Sequence, residues 1–149
     1  MMPSMSRFFV ALCAAVTFVS MVAGADIKEK AVEYQTAGIT CEGWSAFDAA
    51  KPGKHPSVLI VHQWTGVSDN EKMRAKMLAE LGYNVFVCDV YGKGIRPQPP
   101  EAGKEAGKYK GNRPLLRERV NAALEVLRKD PNTDTTRIAA IGYCFGAPQ

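Results

Sequence analysis

Gly142-Tyr143-Cys144-Phe145-Gly146 places a cysteine between two glycines at the spacing of a nucleophile turn. In that pattern a strand reverses sharply into a helix, and the central residue is held in an unfavourable backbone conformation with its side chain exposed. Gly142 and Gly146 matter because side chains there would collide across the tight turn. The Phe145 amide, opening the following helix, would face developing negative charge, and the Trp64 amide of the Gln63-Trp64 loop would complete an oxyanion hole. A buried, inert cysteine is the competing account of the same five residues.

The elements that must position this turn are legible along the chain. Ile27 to Tyr34 and Ile39 to Phe47 read as two strands about a turn near Gly38, and Ser57 to His62 is an apolar run suited to a strand buried on both faces. Ser68 and Glu71 offer a capping box for a helix through about Leu81, with Met73, Met77, Leu78 and Leu81 on its inward side. Val85 to Cys88 is a further buried strand. Gly92 to Pro114 holds four prolines and five glycines, which predicts an exposed connection with a short irregular helix around Pro100 to Tyr109. Leu116, Val120, Ala123, Leu124 and Leu127 mark the next helix, and Ile138 to Ile141 the last strand.

This alternation is doubly wound α/β grammar, in which ligands gather at the carboxyl ends of the strands. Gln63 and Trp64 lie at one such end, Tyr91 and Lys93 at the next, and Cys144 at the third. His62 is the one histidine near these ends, and strand alternation turns it away if Gln63 faces Cys144, so it reads as a packing residue rather than a base. Asp89 reads as a loop-ordering residue, Tyr91 as a cleft residue, and Trp44 as packing against the first strands.

Met1 to Ala25 has an early charge at Arg7, an apolar run and a small-residue site at Ala23-Gly24-Ala25, which predicts a signal peptide and a secreted or periplasmic address. The remaining 26–149 forms a single domain, with no stable membrane insertion expected once the leader is removed. Of the four cysteines Cys13 leaves with the leader, and the remaining Cys41, Cys88 and Cys144 are odd in number and have no CxxC spacing, which argues against a disulfide framework. The net charge of +4 is spread among acidic residues, and the densest cluster, Lys104 to Arg113, is interrupted by Glu105. No nucleic-acid partner is expected. The two histidines are widely separated and the phosphate-binding glycine patterns are missing, so no metal and no cofactor are expected.

Three blocks together carry a family resemblance: Val58 to Gly66, Leu78 to Tyr83 leading into Asp89 to Gly94, and Arg137 to Gly146. They resemble the dienelactone hydrolase family, the cysteine-nucleophile branch of the α/β-hydrolases, over Ile27 to Gly146. The resemblance implies that Cys144 attacks an ester or lactone carbonyl to form an acyl-enzyme, with Phe145 and Trp64 donating to the oxyanion. It implies a glutamate where Gln63 stands, beside the nucleophile, and a substrate-binding role for Lys93.

The family's aspartate and histidine follow the nucleophile, and the sequence ends at Gln149. The expectation is therefore the amino-terminal part of a family domain: an incomplete sheet with flanking helices, truncated just after the nucleophile elbow. Whether such a chain is an enzyme stays open, since its catalytic set would be incomplete and its hydrolysis impaired. The alternative is a non-catalytic fragment or a small-molecule or protein-binding module. An uncovered sheet edge would favour self-association.

Overall fold

The computed structural model describes residues 24–146, so the leader expected over 1–25 falls almost wholly outside the described residues. The order is β1 (Ile27–Thr36), β2 (Ile39–Asp48), β3 (His55–Val61), α1 (Asp69–Glu80), β4 (Asn84–Cys88), α2 (Glu101–Lys110), α3 (Arg113–Lys129) and β5 (Thr133–Gly142), then a single 3-10 turn at Cys144–Gly146. The strands form one sheet in the order β1-β2-β4-β3-β5. β1, β2 and β4 pair antiparallel in succession, whereas β3 pairs parallel with both β4 and β5.

The expectation of an incomplete sheet cut off after the elbow is corrected by this topology. Five strands hydrogen-bond as one continuous mixed sheet with three flanking helices, spanning most of the chain. The β1–β2 hairpin lies antiparallel on one side of the parallel strands, and β5 adds to the other side of β3 along Ser57 to Val61.

The core follows from the run Val58-Leu59-Ile60-Val61. Leu59 and Val61 share one face with Phe86 and Cys88, covered by Ala106 and Tyr109 of α2 and Ala123 and Leu127 of α3. Val58 and Ile60 share the other with Val85 and Val87, covered by Ala75 and Ala79 of α1. Alternate side chains of one strand thus feed two apolar layers, which is why β3 and β4 carry no polar face.

Two helix expectations change. On α1, Met73, Met77 and Leu81 are exposed, and the inward residues are Glu71, Ala75 and Ala79. Small alanines let the helix sit close on the sheet, and the larger side chains turn to solvent. The connection after β4 contains a regular helix, α2, where an irregular one was expected. Its Ala102, Ala106 and Tyr109 recur at helical spacing and are buried. Three of the prolines stop at Pro100, just before α2 begins, and Pro114 sits in the first turn of α3, where neither helix loses hydrogen bonds to them.

Candidate active site

The chain leaves β3 toward β4 on one side, and later returns as β5 on the other side of β3. The carboxyl end of β3 is therefore a topological switch point, the place where an open α/β sheet has a crevice. Register makes the position specific. Val61 pairs with Gly142, and the Tyr143 N–H donates to the Val61 carbonyl at 3.4 Å. Gln63 and Cys144 each lie two residues beyond that pair, so the loop after β3 and the turn after β5 emerge side by side.

Cys144 has φ = 52°, one of two non-glycine residues at positive φ among those described. That backbone is unfavourable for an L-residue, and it falls at the turn that follows β5. The thiol is exposed, whereas Cys41 and Cys88 are buried and free. Burial pushes both of those thiols above the usual range. A Cβ placed on Gly146 would lie 2.6 Å from the Val61 carbonyl oxygen and 2.8 Å from that of His62. Glycine at this position is therefore a steric requirement, while Gly142 ends β5 as the residue paired with Val61.

Phe145 is buried among His62, Tyr91 and Tyr109, with ring centroids 5.8, 5.6 and 6.4 Å away. Its side chain anchors the turn while Cys144 stays outside. A cleft of about 310 Å³ lies along α3, between Leu116, Arg117 and Val120 on the helix and Val61, Ala140 and Phe145 on the sheet side, and Cys144 does not line it.

The loop after β3 is held from several directions. His62 is fully buried, and Val90 N–H donates to its Nε2 at 3.1 Å while its Nδ1 lies 2.5 Å from the Gln63 carbonyl oxygen. Burial pushes the imidazole pKa below its ordinary value, against the opposing pull of that carbonyl. Both ring nitrogens are engaged by backbone, so His62 is not a base for the thiol. His55, at the other end of β3, bonds the Lys51 carbonyl through Nε2.

The Tyr91 hydroxyl donates to the Trp64 carbonyl at 2.9 Å. Tyr91 is itself buried and stacks on Tyr109, so it supports the loop from beneath. Gln63 turns its side-chain amide toward the Thr65 hydroxyl at 3.4 Å, and its N–H faces Glu71 Oε1 at 3.5 Å. Trp64 is partly exposed.

Glu71 is the residue whose wider role the sequence did not disclose. Its carboxylate accepts from the Ser68 N–H at 3.0 Å, the Ser68 hydroxyl at 2.5 Å and the Asn70 side chain at 3.1 Å. Burial raises its pKa, but these hydrogen bonds outweigh burial and leave it below the usual value. The Ser68–Glu71 spacing signalled a helix cap; nothing local signalled that the same carboxylate would reach the loop at Gln63.

Lys93 lies in the loop after β4. It pairs with Glu33 on β1, the sheet edge opposite β5, and its N–H donates to Thr40. Asp89 accepts from the amides of Glu42, Tyr91 and Gly92, which orders the loop after β4. Trp44 donates to Glu29 and carries Lys72 over its ring. Among the described residues no helix is long and apolar enough to cross a membrane.

A family model described as the dienelactone hydrolase family matches residues 44–148. Among solved structures, one named m3DLH is 31% identical with a TM-score of 0.77, covering 80% of this chain and 50% of its own. A dienelactone hydrolase-like promiscuous phosphotriesterase from metagenomic libraries is 32% identical with a TM-score of 0.79, covering 83% and 51%. A dienelactone hydrolase structure from Klebsiella pneumoniae, at 18% identity and a TM-score of 0.69, shares the fold. This chain thus spans about half the length of the solved structures it matches. The search of curated proteins gives no match.

These matches correct the sequence reading in extent. The family likeness runs over residues 44–148, most of this chain. The readings of a fragment, of an incomplete catalytic set and of impaired hydrolysis are not carried forward. The leader and the exported address draw no support from the matches.

Proposed function

Because this chain belongs to the dienelactone hydrolase family, we propose that it acts as a cysteine hydrolase on ester or lactone bonds of small molecules. What supports this most strongly is the backbone of Cys144, held at positive φ with its thiol exposed at the end of a strand paired to β3. A cysteine needed only for packing has no cause to be strained and exposed.

In the reaction, the Cys144 sulfur attacks the carbonyl carbon and the C=O pair moves onto oxygen. The amides of Trp64 and Phe145 are the donors proposed for that oxyanion. Collapse expels the alkoxide, which leaves as the alcohol carrying the proton of the original thiol, and a thioester remains on Cys144. Water then adds to the thioester, releasing the carboxylic acid and restoring the thiol. In a lactone the alcohol and the acid belong to one product, so a single ring-opened molecule departs.

Turnover of an activated ester by the 149-residue protein, set against Cys144→Ala, tests the reading. Equal rates in the two proteins contradict it. The likeness to a promiscuous phosphotriesterase supports assaying a phosphotriester beside the ester. Self-association is the second element of the proposal, favoured by the ten-residue β5 having a partner on one side only among the described residues. A sedimentation mass equal to that of the monomer at every concentration tested contradicts it.

A further inference from the structure

We propose that His62 is a positioning residue that aims the Trp64 amide, and that it does so as the neutral tautomer protonated on Nδ1. The inference rests on the reading of Trp64 as an oxyanion donor, and deepens it.

The tautomer follows from the partners. Val90 N–H can only donate, so Nε2, 3.1 Å away, must carry a lone pair. The Gln63 carbonyl can only accept, so Nδ1, 2.5 Å away, must carry the proton. No other protonation state satisfies both contacts. The ring is further fixed by its edge contact with Tyr91, 4.6 Å between centroids, and by stacking on Phe145 at 19°.

The aim follows from peptide geometry. The cis peptide bond among the described residues is Pro99-Pro100, so Gln63-Trp64 is trans. In a trans peptide the carbonyl and the N–H point in opposite directions. Holding the Gln63 oxygen on the imidazole therefore turns the Trp64 N–H away from His62. The Gly66 N–H, 3.2 Å from the same oxygen, and the Tyr91 hydroxyl on the Trp64 carbonyl fix this peptide and the one that follows it. The clamp reaches the elbow as well, since Phe145 stacks on the same ring and Gly146 packs on the His62 carbonyl. One buried side chain thus touches the peptide bearing the first proposed donor and the ring of the residue bearing the second.

Two substitutions separate the contacts. His62→Asn retains a donor near the Nδ1 position, and His62→Gln retains an acceptor near Nε2 but loses the donor to Gln63. With p-nitrophenyl acetate, His62→Gln is expected to lower kcat about 10- to 100-fold with little change in KM. The protein should still unfold cooperatively, and the Cys144 thiol should remain open to alkylation. His62→Asn is expected to recover most of the lost kcat. A folded His62→Gln protein with kcat within about twofold of the parent overturns the proposal.

The parent protein supplies a readout that needs neither variant nor activity. Long-range proton–nitrogen correlation of the imidazole at pH 7 should show a protonated Nδ1 and an unprotonated Nε2. The opposite tautomer, or an imidazolium, overturns the clamp even if the variants fail to fold. Parent turnover no greater than that of Cys144→Ala would defeat the proposed function instead, and the imidazole measurement would still decide the clamp.

Discussion

Gly146 and Val61 approach so closely that a Cβ atom on the glycine would stand 2.6 Å from the valine carbonyl oxygen. The obstacle is backbone of a central strand, which cannot swing aside as a flexible side chain would. Gly146→Ala is expected to cost about 1–3 kcal/mol of stability and to displace the elbow. Denaturant titration checks the first effect and the alkylation rate of Cys144 the second. An unchanged midpoint with unchanged reactivity would show that the contact is looser than described.

Thiol chemistry should distinguish the three cysteines of the described chain. Cys144 is exposed, whereas Cys41 and Cys88 are buried with their pKa values pushed up. Iodoacetamide on the folded protein is expected to label Cys144 at least about tenfold faster than the other two. Peptide mapping by mass spectrometry reads the order. Equal labelling at Cys88 would mean that the core opens as fast as the reagent reacts.

Acid should weaken the fold in two separate windows. Burial lowers the His62 pKa, so below about pH 6.5 the unfolded chain binds a proton there that the folded chain refuses. Stability from this group is therefore complete above that pH and falls as pH drops, by at most about 1.4 kcal/mol per unit. Glu71 on α1, Asp89 after β4 and Arg96 in the following loop are the charges that bear on His62. Urea midpoints at pH 7 and pH 5 should differ less in His62→Gln than in the parent.

The lower window belongs in part to Glu71. Its folded pKa is depressed, so its contribution is present above about pH 4.3 and is lost as pH falls through the folded value. Glu71→Gln keeps the size of the side chain but surrenders one acceptor among donors from Ser68 and Asn70. The expected loss is about 1–3 kcal/mol at pH 7, with a flatter acid limb below pH 4.5. A variant as stable as the parent at pH 7 would remove Glu71 from the set of groups that hold this loop.

The sequence exposed those features whose causes are local. The run Val58 to Val61 must be buried on both faces, the Ser68–Glu71 spacing caps a helix, and the glycines around Cys144 permit a strained turn. Each needs only neighbouring residues to be read. The inward face of α1 is not legible from side-chain size, because close packing on the sheet selects Ala75 and Ala79 and leaves Met73 and Met77 outside. α2 was obscured by the prolines before it, although Ala102, Ala106 and Tyr109 already had helical spacing.

The site was legible where register alone decides it. Once β5 pairs with β3, Cys144 and Gln63 must emerge together. The Tyr91 hydroxyl on Trp64, Lys93 on Glu33 and the two-sided hold on His62 are contacts between loops that follow different strands. No periodicity or motif encodes such contacts, because they depend on how those loops fold back over the sheet.

The central claim is that the Cys144 sulfur takes up an acyl group, and intact-mass analysis after rapid mixing with an activated ester tests it most directly. The account predicts an adduct of the acyl mass that maps to the Cys144 peptide, decays as product appears, and is missing in Cys144→Ala. No adduct alongside undiminished turnover in Cys144→Ala, or an adduct mapping to Cys41 or Cys88, would contradict it.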